Sequence, residues 1–65
     1  MANHYQQGQI EAIDALRSAL GTEGFRGFCA GNVIKYVWRH DKKGTPVMDL
    51  LKAQEYLDWL VKDLT

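Results

Sequence analysis

The residues best equipped for chemistry lie in one run, Gly31-Asn32-Val33-Ile34-Lys35-Tyr36-Val37-Trp38-Arg39-His40-Asp41-Lys42-Lys43. On a helix, Asn32, Lys35 and Arg39 fall at i, i+3 and i+7 and share one face. Lys42 and Lys43 follow at its C-terminal end. Four cations (Lys35, Arg39, Lys42, Lys43) against the single anion Asp41 give this stretch a charge of +3. Such a concentration suits a phosphate-bearing ligand, because arginine offers a planar bidentate fork and lysine a mobile ammonium. Asn32 brings an amide for a base edge or sugar, and Tyr36 or Trp38 a ring for stacking. A ligand-free account is also available: cations in the last turn of any helix are favoured by its dipole.

A second group lies near the N-terminus. Glu11 and Asp14 are spaced i,i+3, and two carboxylates so placed can share a magnesium ion that also takes substrate phosphates. Early-helix charge and solvation explain the same pair without a metal. His4 and Tyr5, ahead of them, are candidates to fold over a ligand as a lid. Other chemistries are excluded. No glycine-rich stretch ends in Gly-Lys-Ser or Gly-Lys-Thr, so there is no P-loop. Gly21-Thr22-Glu23-Gly24 lacks dinucleotide-fold spacing and a preceding strand. Cys29, the only cysteine, sits among apolar residues as a small hydrophobe, which rules out an intrachain disulfide and a multi-cysteine zinc site.

Three short helices are predicted to position these residues, separated by breaks over 21–24 and 42–46. The first runs from about Gln9 to Leu20, with Ile10, Ile13, Leu16 or Arg17, and Leu20 at helical spacing. The second covers about Phe25 to His40 and is apolar around most of its circumference, the mark of a helix buried on two sides. Gly31 inside it costs ~1 kcal/mol against alanine, which close approach of a neighbouring helix or a ligand would offset. The third begins at Thr45 as N-cap and Pro46 at the first helical position. Its predicted seam is Leu50, Ala53, Leu57, Leu60 or Val61, and Leu64, with Asp58 and Lys62 as an outward i,i+4 pair.

The whole chain has 65 residues, 46% of them apolar or aromatic, and eight cationic against eight acidic side chains. One small all-α domain is the expectation. A chain of this size buries only about 60% of its unfolded surface, so homo-oligomerisation through the second and third helices is expected to supply the missing support. Net neutrality argues against a sequence-independent nucleic-acid binder, and sequence-specific recognition is not expected either. No apolar run approaches a membrane span. The first seven residues lack the pattern of a signal peptide, which points to the cytoplasm.

Taken in order, His4-Tyr5, Gly8, Ile10-Glu11, Ile13-Asp14, Gly31-Asn32, Lys35-Tyr36, Arg39, Lys42 or Lys43, Asp49-Leu50, Lys52-Ala53 and Tyr56-Leu57 resemble a family of short phage proteins catalogued as a domain of unknown function. That family includes the nucleotide kinase of bacteriophage T7 and a lactococcal phage protein linked to sensitivity to abortive infection. The resemblance runs from about His4 to Leu60, and its middle block, Gly-Asn-x-x-Lys-Tyr-x-x-Arg, is the most specific part. It implies a phage protein acting in an infected bacterium and handling nucleotides. By position, Asn32, Lys35 and Arg39 would contact phosphate or base. His4, Tyr5, Glu11 and Asp14 would complete the site, with Asp49 and Lys52 bordering it. Three functions then compete: capture of a nucleotide, such as a signal of host defence; phosphorylation of deoxynucleoside monophosphates, with magnesium on Glu11 and Asp14; and docking onto a host protein with no nucleotide at all.

Overall fold

The computed structural model describes the backbone of residues 2–65 and the side chains of residues 11–65. Helix α1 spans Ala2–Arg39 and helix α2 spans Pro46–Leu64, and no strand occurs among the described residues. The chain is all-α as expected, but with two helices rather than three. The first break is compressed into one residue: Gly21 has φ 77° and ψ 178°, inside an otherwise helical run. That region of backbone space is open almost only to glycine. A straight helix of 38 residues would be about 57 Å long, yet the longest dimension of the molecule is 34 Å. The Gly21 bend accounts for the difference. It folds the N-terminal arm of α1 back, so that Ile13 and Leu16 reach the cluster around Phe25 and Cys29.

The second break is a true turn. Gly44 takes a left-handed φ of 76°, and Pro46 then opens α2 with its fixed φ already helical. Thr45 does not cap with its side chain as expected. Its hydroxyl donates to Asp49 Oδ2 at 3.4 Å instead, while the Asp49 amide bonds to the Thr45 carbonyl at 3.0 Å.

Beyond Gly21, α1 runs antiparallel to α2. Arg26 meets Asp63 at one end, Phe28 and Tyr36 meet Tyr56 midway, and Arg39 meets Asp49 beside the turn. The core is small. Among the described residues, Ile13, Phe25, Cys29 and Ala53 are its buried apolar members, and Phe25 and Cys29 are fully enclosed. Truncating Phe25 to alanine would cost roughly 3–5 kcal/mol, comparable to all the stability a core of this size supplies.

The packed face of α2 shares Ala53 and Leu60 with the expected seam and otherwise departs from it. Asp49, Ala53, Tyr56, Leu60 and Asp63 face α1, and two of these are acids. Leu50, Leu57, Val61 and Leu64 remain 42–59% exposed. Two ion pairs bridge the helices at the ends of this face, Arg26 with Asp63 and Arg39 with Asp49. Asp58 and Lys62 form no ion pair; Lys62 lies 5.8 Å over the Trp59 ring. Gly31 is also not explained by helix packing within the chain, because a Cβ there would meet nothing within 4 Å. Among the described residues, no helix is long and apolar enough to cross a membrane.

Candidate functional site

Tyr36 and Tyr56 form the centre of the site, one from each helix. Their rings stack with centroids 5.9 Å apart and planes at 13°, and Phe28 meets Tyr56 edge-on at 5.7 Å. Burial raises the Tyr56 phenol above its ordinary pKa, with the neighbouring Tyr36 adding to the effect. Two cations flank the pair. Lys35 Nζ lies 4.4 Å from the Tyr36 centroid, and the Arg39 guanidinium carbon 5.0 Å from it. On α2, Lys52 lies one helical step from both Asp49 and Tyr56.

Arg39 and Lys35 differ in one decisive respect. Arg39 donates from one terminal nitrogen to Asp49 Oδ1 at 3.0 Å, and its Nε is enclosed with no hydrogen-bond partner. The hydrogen bond to Asp49 raises the Arg39 pKa further. Asp49 is only 3% exposed, so Arg39 is the compensating charge for a buried carboxylate and part of the hairpin's own fastening. Lys35 is exposed and makes no ion pair among the described residues. Its charge is available to a ligand.

The remaining candidates sort by position. Asn32 donates its amide to the Phe28 carbonyl at 2.8 Å, which leaves its side-chain oxygen as the group that can face outward. Lys42 is engaged locally: it bonds the Trp38 carbonyl at 3.1 Å and Asp41 at 3.0 Å, and lies 4.4 Å over the Trp38 ring. That hydrogen bond holds Asp41 below the usual carboxylate range. Here the helix-end account of the cations fits well. Lys43 is exposed in the turn. Trp38 stands 65% exposed beneath Lys42, while Tyr36 is the ring that stacks on Tyr56. His4 and Tyr5 lie outside the residues whose side chains are described.

Glu11 and Asp14 are both exposed on the N-terminal arm. Among the described residues no three His, Cys, Asp or Glu side chains converge as a metal cluster. A magnesium ion on these two carboxylates would complete its coordination with water and ligand phosphates. A hollow of about 270 Å³ lies elsewhere, lined by Glu55, Asp58, Trp59 and Lys62 on α2; it includes none of the residues of the cationic edge. Sequence reasoning missed Tyr56 as a partner of Tyr36, although its spacing of i+4 from Lys52 and i+7 from Asp49 places all three on one face.

The fold and site define a small helical hairpin with a cationic aromatic edge and no P-loop. The family model for a protein of unknown function, DUF3310, matches residues 1–58, and the chain belongs to that family. It is 41% identical over 58 residues to the gene 1.7 protein of Enterobacteria phage T3, covering 83% of this chain and 36% of that relative. It is 36% identical over 64 residues to the nucleotide kinase gp1.7 of Escherichia phage T7, covering 92% of this chain and 33% of that relative. The chain thus spans about a third of the length of these curated relatives. No solved structure matches it.

Proposed function

We propose that this phage protein binds a phosphorylated nucleotide on the edge formed by Asn32, Lys35, Tyr36 and Arg39 of α1 with Lys52 and Tyr56 of α2. The observation that carries the reading is Lys35, an exposed cation without an acidic partner, resting on the outermost ring of an aromatic stack. An exposed cation–π contact is worth about 0.5–1 kcal/mol, so a base can displace the ammonium from the ring at small cost. The freed ammonium then reaches phosphate. Lys43 and Lys52 add positive potential, and Arg39 holds Tyr36 against the hairpin through its bond to Asp49. One use of such capture is to sequester a nucleotide signal of host defence in the cytoplasm of the infected bacterium.

The T7 relative is named a nucleotide kinase, and a second reading builds on that name: phosphorylation of deoxynucleoside monophosphates, with magnesium held by Glu11, Asp14 and substrate phosphates. Phosphoryl transfer requires donor and acceptor sites from which water is excluded. The edge is open and the match covers a third of that relative, so binding is the function the geometry supports best. The third reading, docking onto a host protein, needs none of these cations.

The test separates all three. Purified protein is incubated with nucleoside monophosphates plus magnesium-ATP, and separately with cyclic mono- and dinucleotides. It is then filtered and denatured, and both fractions are resolved by chromatography. Intact ligand released from the denatured protein is the expected result; a new diphosphate in the filtrate would identify a kinase. With the ligand in hand, Lys35→Ala is expected to weaken binding by ~1.5–3 kcal/mol, roughly 10- to 150-fold, with no loss of helicity. Arg39→Ala is expected to lower both affinity and thermal stability. Retention of no nucleotide by wild-type protein would hand the function to protein docking.

A further inference from the structure

On α2, Glu55, Asp58, Trp59 and Lys62 fall at i, i+3, i+4 and i+7, so they share one face. Together they line the hollow of about 270 Å³. Trp59 is its fixed wall, because the ring packs against the core cluster of Ile13, Phe25 and Cys29. The two carboxylates are uncommitted. Among the described residues neither Glu55 nor Asp58 makes an ion pair, and residues 1–10 contain no lysine or arginine that could supply one.

Lys62 shows what the wall attracts. Asp58 and Lys62 stand in the i,i+4 order that favours a salt bridge, yet they form none, and the ammonium lies 5.8 Å from the Trp59 ring centroid. The ring face therefore already holds a cation. That cation is carried on a flexible four-carbon stem, which can swing out to water. With Lys62 turned away, the hollow presents an aromatic wall and two negative charges.

We infer that this hollow binds an aliphatic diammonium, a small molecule of the polyamine class, in the place where Lys62 now sits. The methylene chain lies along the Trp59 ring, and the two ammonium groups pair with Glu55 and Asp58. As i,i+3 neighbours on a helix, these two residues have Cβ atoms about 5–6 Å apart, a separation a short alkyl chain spans. The lining selects this class over others. An aromatic face attracts cations and gives an apolar body a surface to cover. An anion would meet two carboxylates against one ammonium, a net charge of −1. A metal ion would gain nothing from the ring, and among the described residues no third acid or histidine converges with Glu55 and Asp58. The volume also lies just below the range of roughly 300–1,000 Å³ typical of pockets for drug-sized ligands, which suits a short chain.

The two tryptophans provide the readout. Their indole N–H resonances are followed by NMR while diaminobutane is titrated into the protein at constant ionic strength. A saturable shift of the Trp59 indole is expected, with the indole of Trp38, whose ring carries Lys42, unmoved. Butanediol, which has the chain without the charges, and magnesium chloride are expected to shift neither. Glu55→Gln with Asp58→Asn is expected to weaken diaminobutane binding roughly tenfold or more. Circular dichroism should not change, since neither side chain belongs to the core. Lys62→Ala is expected to tighten binding by about two- to fivefold, because it removes the competing cation from the ring. No Trp59 shift at millimolar diaminobutane would overturn the assignment. A shift of both indoles together, or one that magnesium reproduces, would do the same by showing general charge screening. So would binding that survives the double substitution, or binding that Lys62→Ala weakens.

Discussion

Asp63 is held by two arginines that reach it from opposite sides of the Gly21 bend. Arg26 donates Nε at 2.8 Å and Arg17 donates a terminal nitrogen at 2.9 Å. The Arg26 hydrogen bond, helped by both positive charges, keeps the Asp63 carboxyl below its ordinary range against the opposing effect of desolvation. A depressed folded-state pKa stabilises the protein above the unfolded value of about 3.9, and this contribution is lost as pH falls through the folded value. The melting temperature is therefore expected to drop as pH is lowered through the acid range. Asp63→Asn is expected to melt lower at neutral pH and to lose part of that acid dependence. An acid limb identical in slope to wild type would show that Asp63 is not its source. Cys29, enclosed beside this cluster, has its thiol pKa raised by burial first and by Asp63 second. It serves as a small apolar group, not a nucleophile.

At the scale of elements, Gly21 decides the shape. Its φ of 77° with ψ of 178° is strained for any side chain, even though a Cβ there would meet nothing within 4 Å. Gly21→Ala is expected to destabilise the protein by about 1–3 kcal/mol, which in a domain this small lowers the melting temperature by roughly 4–8 °C per kcal/mol. The test is a thermal melt followed by circular dichroism, together with the radius of gyration in solution. An unchanged melt would mean that the arm does not depend on this bend. The element boundaries show where sequence patterns succeed: Gly44 and Pro46 announce the start of α2 without ambiguity. The bend was legible as glycines but not as a single-residue kink, because a glycine pair reads equally well as a loop. Which stripe of α2 would be buried was legible only in part: Ala53 and Leu60 of the expected seam pack inward, whereas Leu50, Leu57 and Leu64 stay exposed and Asp49 and Asp63 turn to the arginines of α1.

For the molecule as a whole, neutrality conceals polarity. Each of the eight acidic side chains counts in the net charge of zero, but Asp49 and Asp63 are spent on Arg39, Arg17 and Arg26, and Asp41 on Lys42. Lys35 and Lys43 keep their charge exposed on the site side. Nucleotide affinity is expected to fall as salt is raised, because exposed charges are screened beyond about 8 Å at physiological ionic strength. Thermal stability is expected to change less, because the pairs that fasten the hairpin are partly buried. Titrations at low and high salt, alongside melts under the same conditions, check this. Salt-independent affinity would place the phosphate away from Lys35.

By itself the sequence determined the helical class, the turn at Gly44–Pro46 and the clustering of Asn32, Lys35 and Arg39 on one face. Each follows from interactions between residues no more than a few turns apart. Only the tertiary structure decided which cations are free. Arg39 is drawn into a buried pair with Asp49, while Lys35 is left on the aromatic edge. It also decided that Tyr36 stacks on Tyr56 and that the most apolar stripe of α2 faces outward. Those outcomes depend on one register between two antiparallel helices, which brings together residues as far apart in the chain as Arg26 and Asp63.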